Sequence, residues 1–61
     1  MYYVSYKIGG KTLYFRTRHF GFPEYTPELK KAKGFKTYDE AAEEKRYLGG
    51  QTKIVLLKDH D

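Results

Sequence analysis

A chain of 61 residues with a net charge of +4 and no cysteine makes one domain at most, and one with a small core. Disulfides and thiolate metal sites are excluded, and two histidines, one beside a loop and one in the tail, make no zinc site. No apolar run approaches the roughly 18 residues of a membrane-spanning helix, and Met1–Lys7 lacks the basic start and apolar middle of a signal peptide.

A soluble protein of the cytoplasm is expected on these grounds. Its stability must come from an aromatic core, from self-association, or from both; seven tyrosines and four phenylalanines supply the aromatic mass. Charge is uneven along the chain. Residues 1–37 hold eight lysines and arginines against two acids, whereas residues 38–61 hold four against six. A basic front half can attract nucleic acid or an acidic protein surface, or can simply be a solvated exterior.

Residues 1–8 and 11–18 alternate between apolar and polar and flank Gly9-Gly10. Two glycines between alternating runs predict a hairpin with a type I′ turn, which needs positive φ at both central positions. That turn sets the register: Ile8 faces Lys11, Tyr6 faces Leu13, Val4 faces Phe15 and Tyr2 faces Thr17 on one, core-forming side. On the other side Lys7 faces Thr12, Ser5 faces Tyr14, Tyr3 faces Arg16 and Met1 faces Arg18.

Residues 19–34 read as irregular. Phe20, Phe22 and Tyr25 stand among Gly21, Pro23 and Glu24, so this segment is expected to fold back over something apolar. Thr26-Pro27-Glu28 suits the start of a helical turn, and Leu29, Ala32 and Phe35 then recur every third residue. Helical turn and short strand ending near Phe35 both fit that spacing.

Thr37-Tyr38-Asp39-Glu40 is a capping box, in which the Thr37 hydroxyl and the Glu40 carboxylate each take an orphan backbone donor. Lys45-Arg46 near the end suit the helix dipole, and Gly49-Gly50 stops the helix. Tyr38, Ala41, Ala42, the Lys45 stem and Leu48 share a core stripe, with Tyr47 opposite. Thr52–Lys58 reads as a strand apolar on both faces through Ile54, Val55, Leu56 and Leu57. The helix covers one of those faces; the aromatic loop or a second subunit would cover the other.

The expected fold is α+β: a small, mainly antiparallel sheet of three or four strands with one helix packed on it. The order is β-β, a short strand or turn, then α and β. Residues 1–58 form the single domain and residues 59–61 a polar tail.

Catalysis needs converging carboxylates or a sheltered histidine. The acids here sit mainly on the exposed helix face and in the tail, the one serine lies on a strand, and Gly9-Gly10 is a turn with no helix after it. Neither an enzyme nor a site for a metal, cofactor or small-molecule substrate is expected. The chemistry instead suits binding. Tyr3, Lys7, Tyr14, Arg16 and Arg18 share the outward hairpin face, with Phe22 and Tyr25 in the aromatic loop as further contact residues. Tyrosine and arginine dominate protein interfaces, and sheet-borne aromatics beside cations also suit nucleic acid.

The stretch Thr26–Ala41, with its Ala-Lys-x-Phe and Glu-Ala segments, followed by Leu48-Gly49-Gly50 and a closing strand, resembles many short phage and prophage proteins. That resemblance covers nearly the whole chain. It implies an accessory protein that inhibits or redirects a host protein, including CRISPR and other anti-phage defence components, and it carries no shared site residues. Gly34–Ala41 after a sheet also resembles the arm-type DNA-binding domain of tyrosine integrases. This second resemblance implies duplex DNA read by the sheet, with Tyr3, Tyr14, Arg16 and Arg18 in that role. Here the excursion after the second strand is longer, and Ile54–Leu57 adds an apolar strand. A host protein or complex is therefore the first expected partner, duplex DNA the second, and a second copy of the chain a further one.

Overall fold

The computed structural model describes residues 1–58 as a four-stranded antiparallel sheet with one helix. Strands β1 (Tyr2–Ile8), β2 (Lys11–His19) and β3 (Phe22–Thr26) run consecutively; a single 3₁₀ turn at Leu29–Lys31, helix α1 (Tyr38–Lys45) and strand β4 (Thr52–Leu56) complete the chain. The sheet order is β3-β2-β1-β4, so β1 and β2 are central and β3 and β4 are the edges. The expected class holds, with four strands. The polar tail expected at 59–61 lies outside the described residues.

The first hairpin follows its sequence pattern. Gly9 and Gly10 hold φ of 55° and 80°, as a type I′ turn requires. Ile8–Lys11, Lys7–Thr12, Tyr6–Leu13 and Ser5–Tyr14 pair as read from the sequence. The ladder ends there. Beyond it the Phe15 carbonyl accepts from the Lys33 N–H (3.0 Å), while Tyr2 and Phe35 exchange two backbone hydrogen bonds of 2.8 Å. Facing ladder pairs of Val4 with Phe15, Tyr2 with Thr17, Tyr3 with Arg16 and Met1 with Arg18 are therefore not formed, although Val4 and Phe15 both enter the core. Residues 33–35 take up the backbone groups that a longer hairpin would have used.

A bulge between Phe15 and Thr17 explains where the rest of β2 goes. One extra residue on a strand breaks the alternation and shifts the side chains after it to the opposite face. Arg18 consequently lies on the helix side, whereas Arg16 stays outward beside Glu24.

The segment expected to be irregular contains β3. His19 pairs with Phe22 across Phe20-Gly21, whose φ values of 51° and 84° repeat the first turn. Pro23 is tolerated in this strand because bonded and unbonded pairs alternate outward from the turn, so its nitrogen faces the free edge. The loop aromatics do not fold back together: Phe20 and Phe22 are exposed, and only Tyr25 reaches the core. Both readings of residues 26–36 find a counterpart, the helical turn at Leu29–Lys31 and the extended bridge at Phe35.

The core is Val4, Phe15, Phe35 and Ala41, with Tyr2, Tyr25, Leu48 and Ile54 packed around it. Helix α1 meets β1 and β4. Thr37 caps it by accepting from the Glu40 N–H at 3.2 Å, but the Glu40 carboxylate reaches the Lys36 N–H (3.2 Å) instead of the cap residue's own. Tyr38 is more exposed than its place on the core stripe implies; its ring stands edge-on to Tyr2 at 6.0 Å.

Candidate binding site

The seven residues expected to meet a partner do not form one surface. Tyr3 does lie on the face away from the helix, but it is only 6% exposed, edge-on to Tyr14 at 6.4 Å and paired in register with Val55. Tyr14 is half-buried. Lys7 is exposed and lines a shallow groove with Ser5, Thr12, Lys53 and Val55. Arg16 is exposed too, and its guanidinium donates to Glu24 at 3.1 Å.

Arg18 and Tyr25 were expected outside and are not. The bulge carries Arg18 across to α1, where Nε donates to Glu44 Oε2 at 2.8 Å and the guanidinium lies 5.3 Å from the centre of the Tyr47 ring. Tyr25 stacks on Tyr6 (5.3 Å) and meets Phe15 edge-on at 6.4 Å, so it belongs to the core. Burial raises its hydroxyl pKa above the usual 10.0; the nearby Tyr6 adds to the rise and Arg18 opposes it. The aromatic–basic platform expected on the outward hairpin face thus reduces to Lys7, Arg16 and part of Tyr14.

The tip of the second hairpin is different. Phe22, expected as a contact residue, is 75% exposed, and its neighbour Phe20, not expected, is 98% exposed. Phe20 also holds positive φ, a conformation that costs a residue with a side chain about 1 kcal/mol relative to glycine. Burial among the described residues does not repay that cost, since Phe20 is almost fully exposed and its ring lies 6.1 Å from that of the exposed His19. Single exposed apolar residues are ordinary; here Phe20 and Phe22, on either side of Gly21, are both exposed, and Phe20 also holds a strained backbone.

Charged contacts hold the tip in place. Glu24 receives Arg16 at 3.1 Å and lies 3.8 Å from His19, while Arg18 ties the same hairpin to α1 through Glu44. These contacts lie on the strands that carry the tip and, through Glu44, link the hairpin to α1. One sequence signal points to it: Phe20-Gly21 sits between β2 and β3 as Gly9-Gly10 sits between β1 and β2, a two-residue turn with glycine second.

Among the described residues no three metal-ligating side chains converge, and no helix is long and apolar enough to cross a membrane. Shallow depressions among the described residues have mixed linings, such as Arg16, Tyr25 and Glu28 in one and Phe15, Arg18 and Glu44 in another. Comparison of the chain with protein-family models, with curated proteins and with solved structures returned no match.

Proposed function

We propose that this chain is a non-catalytic binding protein that docks a protein partner by seating Phe20 and Phe22 in an apolar cleft. The observation that carries the reading is Phe20, strained and almost fully exposed at a hairpin tip. Burying two such rings against a partner would contribute roughly 1.5–3 kcal/mol each. The chain's net charge of +4 favours a partner whose cleft is rimmed by acidic residues. The role implied by the resemblance to short phage proteins, inhibiting or redirecting a host protein such as a defence component, fits a module that displays apolar rings at a hairpin tip.

Affinity capture from bacterial lysate tests the reading, with the wild type run beside a Phe20→Asn/Phe22→Ser double variant of matched fold. Retention of a specific protein at stoichiometric yield by the wild type and its loss by the double variant are expected. Equal retention by both would overturn the proposal. The duplex-DNA alternative has its own signature, binding that weakens steeply with salt. Such binding, undiminished by loss of the two phenylalanines and reduced by substituting Lys7 or Arg16, would replace the protein-docking reading.

A further inference from the structure

Among the described residues β4 pairs with β1 alone, which leaves its outer edge open. Which backbone groups lie along that edge follows from the ladder. Met1 and Leu57 exchange two bonds, the Met1 amine to the Leu57 carbonyl at 2.9 Å and the Leu57 N–H to the Met1 carbonyl at 3.0 Å. Bonded and unbonded pairs alternate in an antiparallel ladder. Val55 and Lys53 therefore aim their peptide groups at β1, and Thr52, Ile54 and Leu56 aim theirs outward. Thr52 is already engaged, with its N–H and its hydroxyl both on the Gly49 carbonyl. Ile54 and Leu56 are left presenting the edge, with Leu56 64% exposed.

Proteins usually blunt such an edge with proline, charge or a bulge. The opposite edge is blunted in this way: β3 carries Pro23 and Glu24, and Pro27 follows it. Strand β4 has no proline, and its one charged residue is Lys53.

We infer that β4 pairs antiparallel with β4 of a second copy about a two-fold axis at Val55. Symmetric registers that bring both Ile54 and Leu56 into the pairing have their axis at Ile54, Val55 or Leu56, and an axis at Leu56 would set Ile54 against Lys58, beyond the end of β4. An axis at Ile54 would set Leu56 against Thr52 of the second copy, whose N–H is committed to Gly49. An axis at Val55 sets Ile54 against Leu56 twice, so that both free peptide groups of each copy are bonded and apolar side chains meet apolar ones. Lys53 then stands opposite Leu57, and no like charges face one another. The pairing joins two sheets into one of eight strands, with β3 and the hairpin tip at each far end. It is independent of the docking role of Phe20 and Phe22.

Sedimentation velocity from micromolar to millimolar concentration tests the pairing, that span being appropriate for so small an interface. Reversible dimerisation is expected for the wild type. In Leu56→Pro the lost N–H is one that faces away from β1, so the monomer keeps its internal ladder and self-affinity falls roughly tenfold or more. Circular dichroism reports whether that variant folds; if it does not, cross-linking decides. The chain has no cysteine of its own, and Val55→Cys would place two thiols across an unbonded pair, where Cα atoms lie about 4.5 Å apart and within disulfide reach. Val55→Cys is expected to form an interchain disulfide readily and Lys53→Cys, displaced from the axis, to form it poorly. A wild type that stays monomeric, a dimer untouched by Leu56→Pro, or equal cross-linking at both positions would overturn the inference. A strand from another protein on this edge would appear as the first of these results.

Discussion

Two hairpins share β2 and turn through the same backbone geometry, but their tips are chemically opposite. The first positions of the two turns hold φ of 55° at Gly9 and 51° at Phe20. Glycine adopts that conformation without penalty; phenylalanine does not. The first tip thus fixes a register with two residues that carry no side chain, although Ile8 beside them is 52% exposed. The second places an exposed aromatic ring where φ is unfavourable to a residue with a side chain. A local choice that opposes the fold marks function more clearly than one that supports it. The β2–β3 tip is the place where this chain departs from its own folding logic.

Copying the second tip into the first breaks the comparison most severely. Gly9→Phe would impose the strain of Phe20 on a turn with no use for the ring, lowering stability by about 1–2 kcal/mol. Urea unfolding followed by circular dichroism should show a clearly lower midpoint; an unchanged midpoint would mean that φ near 50° costs phenylalanine nothing in this sheet.

The brace comes next. Arg18 contacts Glu44 and Tyr47 from a partly buried position, and Arg18→Ala should cost about 1 kcal/mol. The loss should be local. Hydrogen exchange is expected to quicken across residues 17–24 while Tyr6–Leu13 stays protected. Uniform acceleration would show the two hairpins to be a single cooperative unit.

The smallest effect concerns the residue that ties the second hairpin to the core. Tyr25 keeps its proton more tightly in the folded chain than in the unfolded one, whose tyrosines ionise near 10.0. Its contribution to stability is complete below that pH and is lost as pH rises through 10.0 towards the folded value. Tyr25→Phe removes the titration, so the alkaline decline of the urea midpoint should become shallower. An identical decline in both proteins would assign it to other groups.

Much of this fold is legible in the sequence where its cause is local. Gly9-Gly10 specifies a turn and a register and Thr37 and Glu40 announce the helix, whereas the helix ends at Lys45, and Gly49, with φ of 95°, follows a further turn at 46–48. Strand β3 is harder to see because Pro23 argues against a strand until the edge position and pairing phase are known. The bulge at Phe15–Thr17 leaves no trace, since residues 11–18 alternate without a break. From that one irregularity follows the misplacement of Arg18, while Tyr3 is lost to the expected binding face through its burial beside Tyr14 and Val55. Of the candidate site, Phe22 is named by its composition and neighbours. Phe20 shows its meaning only when its exposure and its φ are seen together.

Phe20→Asn tests the central claim most directly, because asparagine followed by Gly21 is a preferred type I′ pair. If Phe20 is kept for contact at the expense of folding, the variant should unfold at a higher urea concentration than the wild type, by about 1 kcal/mol in stability. A variant less stable than the wild type would contradict the account and return Phe20 to the fold.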